Sequence, residues 1–183
     1  MRPIYLPPWR IDVHREPGVP RLVPDAVLAR AVAAALAAGG AAGPASLALT
    51  LSDDRALAGL NARHMGKTGP TDVLSFPLLP PEAFAHPARR PLSSTSPEPP
   101  VFHLPPGARQ SLGDVVVSVE RAVEQAEGGR GGQTGDVRWS PADELLLLAT
   151  HGTLHVCGWD HAEPADEVAM RALEQELLAG VGR

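Results

Sequence analysis

The stretch SPADELLLLATHGTLHVCG, residues 140–158, constrains the fold of this chain more than any other. Ser140 is placed to cap a helix, Pro141 suits its first position, and Asp143 follows the serine by three residues, the spacing of a capping box. The interior is apolar almost all the way round, the pattern of a helix buried against a sheet. Gly158 supplies the stop. Enclosing such a helix requires a sizeable core, and 183 residues at 44% hydrophobic and 20% charged composition suit one globular domain that can build it.

The remaining elements follow from periodicity. Ile11 and Val13 in WRIDVH alternate as a short strand, and Ser46 to Ser52 alternate apolar and hydroxyl residues as a half-buried one. TDVLSFP and GDVVVSV, rich in β-branched and aromatic residues, predict two more. A helix runs through LARAVAAALAAGG to the double glycine. A second, DDRALAGLNARHM, is capped by Asp53 or Asp54 and turns Ala56, Leu57 and Leu60 to one face. ERAVEQAE forms a third. The last, DEVAMRALEQELLAG, is amphipathic through Val168, Leu173 and Leu177 and is expected on the outside.

Two composition breaks interrupt this order. Residues 77–110 hold ten of the chain's 20 prolines, which no helix or central strand sustains, so about 78–110 reads as a long irregular surface insertion. Gly128 to Asp136, GGRGGQTGD, separates two helices and reads as flexible.

A formal net charge of −5 argues against a protein that coats nucleic acid nonspecifically, though it leaves room for a local basic cleft. The single cysteine, Cys157, excludes an intramolecular disulfide framework and fits a reducing compartment such as bacterial cytoplasm. Neither an export signal nor a membrane span is expected: the N-terminus has no apolar run behind Arg2, and Arg30, Gly39 and Gly40 break the alanine-rich stretch.

The chemistry lies in HGTLHVCGWDH, residues 151–161. Its histidines and glycine match the metalloprotease pattern HExxHxxGxxH, except that Gly152 stands where that pattern has its glutamate. His151 and His155, four residues apart, are separated by roughly 40° around the helix axis and about 6 Å along it. Both imidazoles therefore face one point, and a left-handed turn at Gly158 carries His161 toward it. Three imidazoles leave a fourth position open, which is the pattern of catalytic rather than structural zinc, one ion per chain. Cys157, about 200° round the helix from His155, points away and reads as a small buried hydrophobe. His14, His64, His86 and His103 are scattered and read as solvated.

HGTLHVCGWDH, together with LNARHMGKTGPTDVLSFP from Leu60 to Pro77 and LGDVVVSVERAVEQA from Leu112 to Ala126, resembles the ordered blocks of the YbeY family of metal-dependent rRNA-maturation endoribonucleases. The resemblance covers most of the chain beyond residue 45. It implies an α+β fold with about five helices around a small four-stranded mixed sheet, the chain 1–183 forming a single metallo-endoribonuclease domain. It also implies zinc on His151, His155 and His161. The implied role is cytoplasmic: cutting single-stranded rRNA in maturation of the 16S rRNA 3′ end and in ribosome quality control, with the ribosomal small subunit as partner.

Two departures from the family pattern stand out. An arginine that usually follows the aromatic of the second block is replaced by Met65, with His64 at the aromatic position. Arg63 and Lys67 flank the gap as candidates for the phosphate-binding or catalytic cation, although an ammonium does not reproduce a bidentate guanidinium. The proline-rich insertion is also longer than the family pattern; its Arg89 and Arg90, with Arg109, read as soluble surface rather than RNA contacts. Asp160 is a candidate acceptor for a ligand imidazole or a turn aspartate bonding its own backbone. Asp72 and Asp114 are placed at strand starts in the matched blocks, positions from which a carboxylate either reaches the cleft or caps a turn.

Gly152 cannot perform the proton shuttle of a peptidase, whereas a metal can supply much of the catalysis of phosphodiester cleavage. Three functions are carried forward: the endoribonuclease, a zinc hydrolase of peptides or amides that Gly152 disfavours, and a non-catalytic, zinc-stabilised ribosome-assembly factor.

Overall fold

A computed structural model describes residues 2–85, 105, 108–128 and 139–181. Its centre is a five-stranded mixed sheet in the order β1-β2-β3-β5-β4. The strands are β1 (Arg2–Leu6), β2 (Trp9–Arg15), β3 (Ala45–Ser52), β4 (Val73–Pro77) and β5 (Gln110–Ser118). The inner ladders β2–β3 and β3–β5 are parallel, while β1 and β4 are antiparallel edges. Four strands were expected. The fifth is β1, a five-residue edge whose Pro3 lacks an N–H and which turns through Pro7 and Pro8 into β2.

The described residues form five α-helices: α1 (Asp25–Ala38), α2 (Asp54–Leu60), α3 (Val119–Glu127), α4 (Pro141–Val156) and α5 (Pro164–Val181). One face of the sheet carries the core. Ile11, Leu47, Leu49, Val115 and Val117 point into it and meet Leu28, Val32 and Leu36 of α1 and Leu145, Leu148 and Leu154 of α4. Helix α4 packs against α1, α3, α5, β4 and β5, which explains why its sequence is apolar nearly all round.

Ser140 caps α4 as its spacing predicts: its Oγ accepts the Asp143 N–H and the Asp143 carboxylate accepts the Ser140 N–H, satisfying two otherwise orphaned donors. Asp53 caps α2, its carboxylate accepting from the Ala56 N–H at 2.8 Å. That helix continues through a π-turn at Asn61–Met65 and ends at Gly66. Helix α5 lies on the outside, but its inward stripe differs from the expected one. Val168 is 70% exposed, whereas Met170 and Glu174 are buried, with Leu173 and Leu177 partly covered.

The proline-rich segment is not irregular surface from its first residue. After β4 the chain makes a short 3₁₀ turn at Pro81–Ala83 and buries Phe84 in the core. Ala85 N–H then bonds the Gly40 carbonyl at 3.0 Å. Residues 86–104, with Arg89, Arg90, His86 and His103, and the glycine-rich stretch 129–136 lie outside the described residues.

Candidate metal centre

The C-terminal end of α4 ends in a Schellman turn. Gly158 adopts φ +82°, its N–H bonds the His155 carbonyl at 3.0 Å, and the Trp159 N–H reaches the Leu154 carbonyl at 3.1 Å. A residue with a Cβ would be strained at that φ. The turn brings His161 back over the helix it has just left. As a result His151, His155 and His161 each offer a nitrogen within 4.8 Å of the others. Their ring centroids are 4.5 Å (His151–His155), 5.6 Å (His151–His161) and 5.0 Å (His155–His161) apart.

Hydrogen bonding decides which nitrogens converge. His155 Nδ1 lies 2.8 Å from the Trp159 carbonyl, and His151 Nδ1 lies 2.7 Å from Glu174 Oε1. A carbonyl and a carboxylate only accept, so both Nδ1 atoms carry the proton and donate. The two Nε2 atoms are then lone pairs, and they face each other at 3.0 Å with no proton between them. Two lone pairs at that separation call for a cation. Burial, and then the neighbouring His151 and His161, hold His155 down to about 4, so His155 itself stays neutral and offers its Nε2 lone pair at neutral pH. The donor set fits a divalent ion that favours imidazole.

Gly152 has a packing reason. A Cβ there would lie 2.6 Å from Val115 Cγ1, 2.8 Å from Val73 Cγ2 and 3.2 Å from Ser75 Oγ. The position therefore faces the sheet, where Ser75 Oγ also donates to the Gly152 carbonyl at 2.9 Å. No general base fits there, which removes the main support for a peptidase. Cys157 is fully buried against the end of α1, where a Cβ on Gly39 would meet its Sγ at 2.8 Å, and burial pushes its thiol up to about 12.

The other candidates are not gathered at the histidines. Asp160 is exposed, and its carboxylate accepts from the backbone N–H of His161 at 2.7 Å, a turn contact within its own loop. Arg63 and Lys67 are exposed, and among the described residues neither bonds the histidines. Met65 is 46% exposed, and His64 packs edge-on against Phe76 with centroids 5.2 Å apart. Strand alternation sets Phe76 on the opposite face of β4 from Val73 and Ser75, which touch α4.

Asp72 does stand before a strand: it accepts from the Val73 N–H and from Gln125 Nε2, tying β4 to α3. Asp114 does not, because β5 begins at Gln110 and Asp114 is exposed at mid-strand. Arg109 donates to the Pro8 carbonyl at 2.6 Å and covers the Tyr5 ring, a tether between β1 and β5.

Periodicity missed Glu174, because an amphipathic reading assigns carboxylates to water. The available signal was its place four residues after Met170, on the stripe that Leu173 and Leu177 flank.

The sequence profile of the Endoribonuclease YbeY family matches residues 22–182. A protein of that name from Moorella thermoacetica is 40% identical over 157 residues, covering 86% of this chain and 86% of the relative. One from Thermobifida fusca is 39% identical over 170 residues, covering 93% and 92%. The solution structure of a Thermotoga maritima protein superposes with a TM-score of 0.52 at 19% identity, covering 93% of this chain and 88% of the other, which supports the fold alone. The fold, the three converging imidazoles and these matches over nearly the whole chain agree: the chain belongs to the Endoribonuclease YbeY family.

Proposed function

We propose that this endoribonuclease is zinc-dependent, holds one ion per chain on His151, His155 and His161, and cuts single-stranded rRNA during maturation of the 16S 3′ end and ribosome quality control. Its domain is the whole chain, 1–183, its partner the ribosomal small subunit and its compartment the cytoplasm. The observation that carries the metal reading is the pair of Nε2 lone pairs at 3.0 Å, each fixed by an acceptor on its own Nδ1. The relatives' printed name carries the RNA reading. Among the described residues, no helix is long and apolar enough to cross a membrane.

Bound zinc supplies Lewis-acid polarisation of a phosphodiester oxygen and a lowered water pKa. The chain's own contribution is orientation. Glu174 and the Trp159 carbonyl fix two imidazoles, and the Gly158 turn delivers the third. Arg63 and Lys67, both exposed, are the cations available to meet RNA phosphates near the second matched block. Because position 152 faces the sheet, the chain offers no helix-borne base beside His151.

The test is cleavage of a single-stranded RNA by purified protein with and without chelator, alongside a casein-type substrate. RNA cutting is expected to vanish with chelator and in each of His151→Ala, His155→Ala and His161→Ala, while casein stays intact. Cutting that survives all three substitutions would sink the metal mechanism. Sequencing the ends separates attack by water, which leaves a linear phosphate, from attack by the ribose 2′-hydroxyl, which leaves a cyclic one.

A further inference from the structure

We propose that Glu174 is a positioning residue for His151, placed on α5 to fix the imidazole's tautomer and aim its Nε2 at the metal; the inference rests on the metal reading above. Helix α5 carries three other acids: Asp166 and Glu176 are exposed, and Glu167 pairs with Arg171 at 2.7 Å. Glu174 alone is buried, at 7% exposure, between Met170 and the partly covered Leu173 and Leu177. An apolar side chain would complete that stripe, and burying a carboxylate costs free energy unless it is bonded. Among the described residues, its hydrogen-bond partner is His151 Nδ1 at 2.7 Å. A charge therefore sits where a leucine would pack, and what it gains there is an imidazole held as the Nδ1–H form.

The contact also spans the fold. Glu174 and His151 are 23 residues apart on different helices, so the orientation of a ligand on the buried helix is set by a residue of the outer one. Carboxylate partners of metal-bound histidines fix ring orientation and raise ligand basicity, and their loss lowers metal affinity by roughly 10–100-fold.

A structural and a positioning role make opposite predictions for Glu174→Leu. If the residue only held α5 down, leucine would pack at least as well and zinc affinity would not change. As a positioning residue, its replacement by leucine removes a buried carboxylate but leaves the His151 Nδ1–H without its acceptor, so chelator-treated protein should stay folded with a modestly lowered thermal midpoint. Zinc affinity, measured with the metal alone against a chromophoric competitor, should fall by roughly 10–100-fold.

Glu174→Gln retains an acceptor oxygen without charge and should lose less. Glu176→Gln, an exposed neighbour, should match wild type. Nitrogen-15 shifts of His151 in metal-free wild type should report a proton on Nδ1, a readout that needs no variant to fold. A folded Glu174→Leu that binds zinc within twofold of wild type overturns the inference, as does a His151 proton on Nε2. Wild type that takes up no zinc would instead overturn the metal reading, leaving the tautomer to decide the role of Glu174.

Discussion

Replacing Gly152 with alanine sets two known effects against each other. An alanine in a helix interior is favoured over glycine by about 1 kcal/mol, so propensity alone predicts a more stable protein. The added methyl, however, would sit 2.6 Å from Val115 Cγ1 and 2.8 Å from Val73 Cγ2. Valine side chains hold few alternative rotamers, and both are anchored in strands, so the clash is relieved only by moving α4. That helix is gripped by α1, α3, α5, β4 and β5. Overpacking of this kind costs about 1–3 kcal/mol, and the rigidity of both neighbours places it toward the upper end. The expected net loss is about 1–2 kcal/mol, or a midpoint lowered by about 2–8 °C for a domain of this size. Thermal unfolding of chelator-treated wild type and Gly152→Ala, followed by circular dichroism at one pH, reads the sign directly. A variant as stable as wild type, or more so, would refute the close-approach explanation of this glycine.

Further outcomes follow from the same site. Gly158→Ala should cost about 1–3 kcal/mol, because it combines a left-handed φ of +82° with a Cβ 2.8 Å from Pro81 Cβ. It should also weaken zinc uptake, since the turn delivers both His161 and the carbonyl that orients His155; unchanged melting and unchanged zinc competition would contradict this. Stability of metal-free protein should depend on His155, whose folded value of about 4 lies below the ordinary 6.5. Between those values the unfolded chain binds the extra proton, so stability falls as pH drops from about 6.5 toward 4 and levels off below. Urea midpoints of wild type relative to His155→Gln should show this loss, and a pH-independent difference would count against it. The Cys157 thiol, buried and pushed up to about 12, should resist a disulfide reagent in folded protein and react at once in urea; fast reaction of folded protein would mean that the end of α4 opens.

Much of the fold could be read from periodicity because α4 and the inner strands are strongly patterned. The helix starts at Ser140 and stops at Gly158 through chemistry confined to a few adjacent residues. Strand β1 escaped notice for the opposite reason. Only Ile4 and Leu6 turn inward, which is too few for a period, and its hairpin turns through two prolines instead of an Asn-Gly-type pair. The three histidines could be located because spacing on one helix plus one glycine determines where they go. Glu174 could not, since its relation to His151 exists only once α5 has docked. Asp160 illustrates the same limit: its spacing allowed either a ligand contact or a turn contact, and the loop settles the carboxylate on the His161 N–H.

The segment after β4 has a consequence for how this protein can change over time. Pro81 lies against Gly158 and Ala85 against Gly40, so the opening residues of the proline-rich segment clip together the C-terminal ends of α1 and α4. Substitutions on this segment therefore reach the imidazoles at second hand: a change at Pro81 moves the turn that carries His161, so the site can be retuned over generations with every ligand left in place.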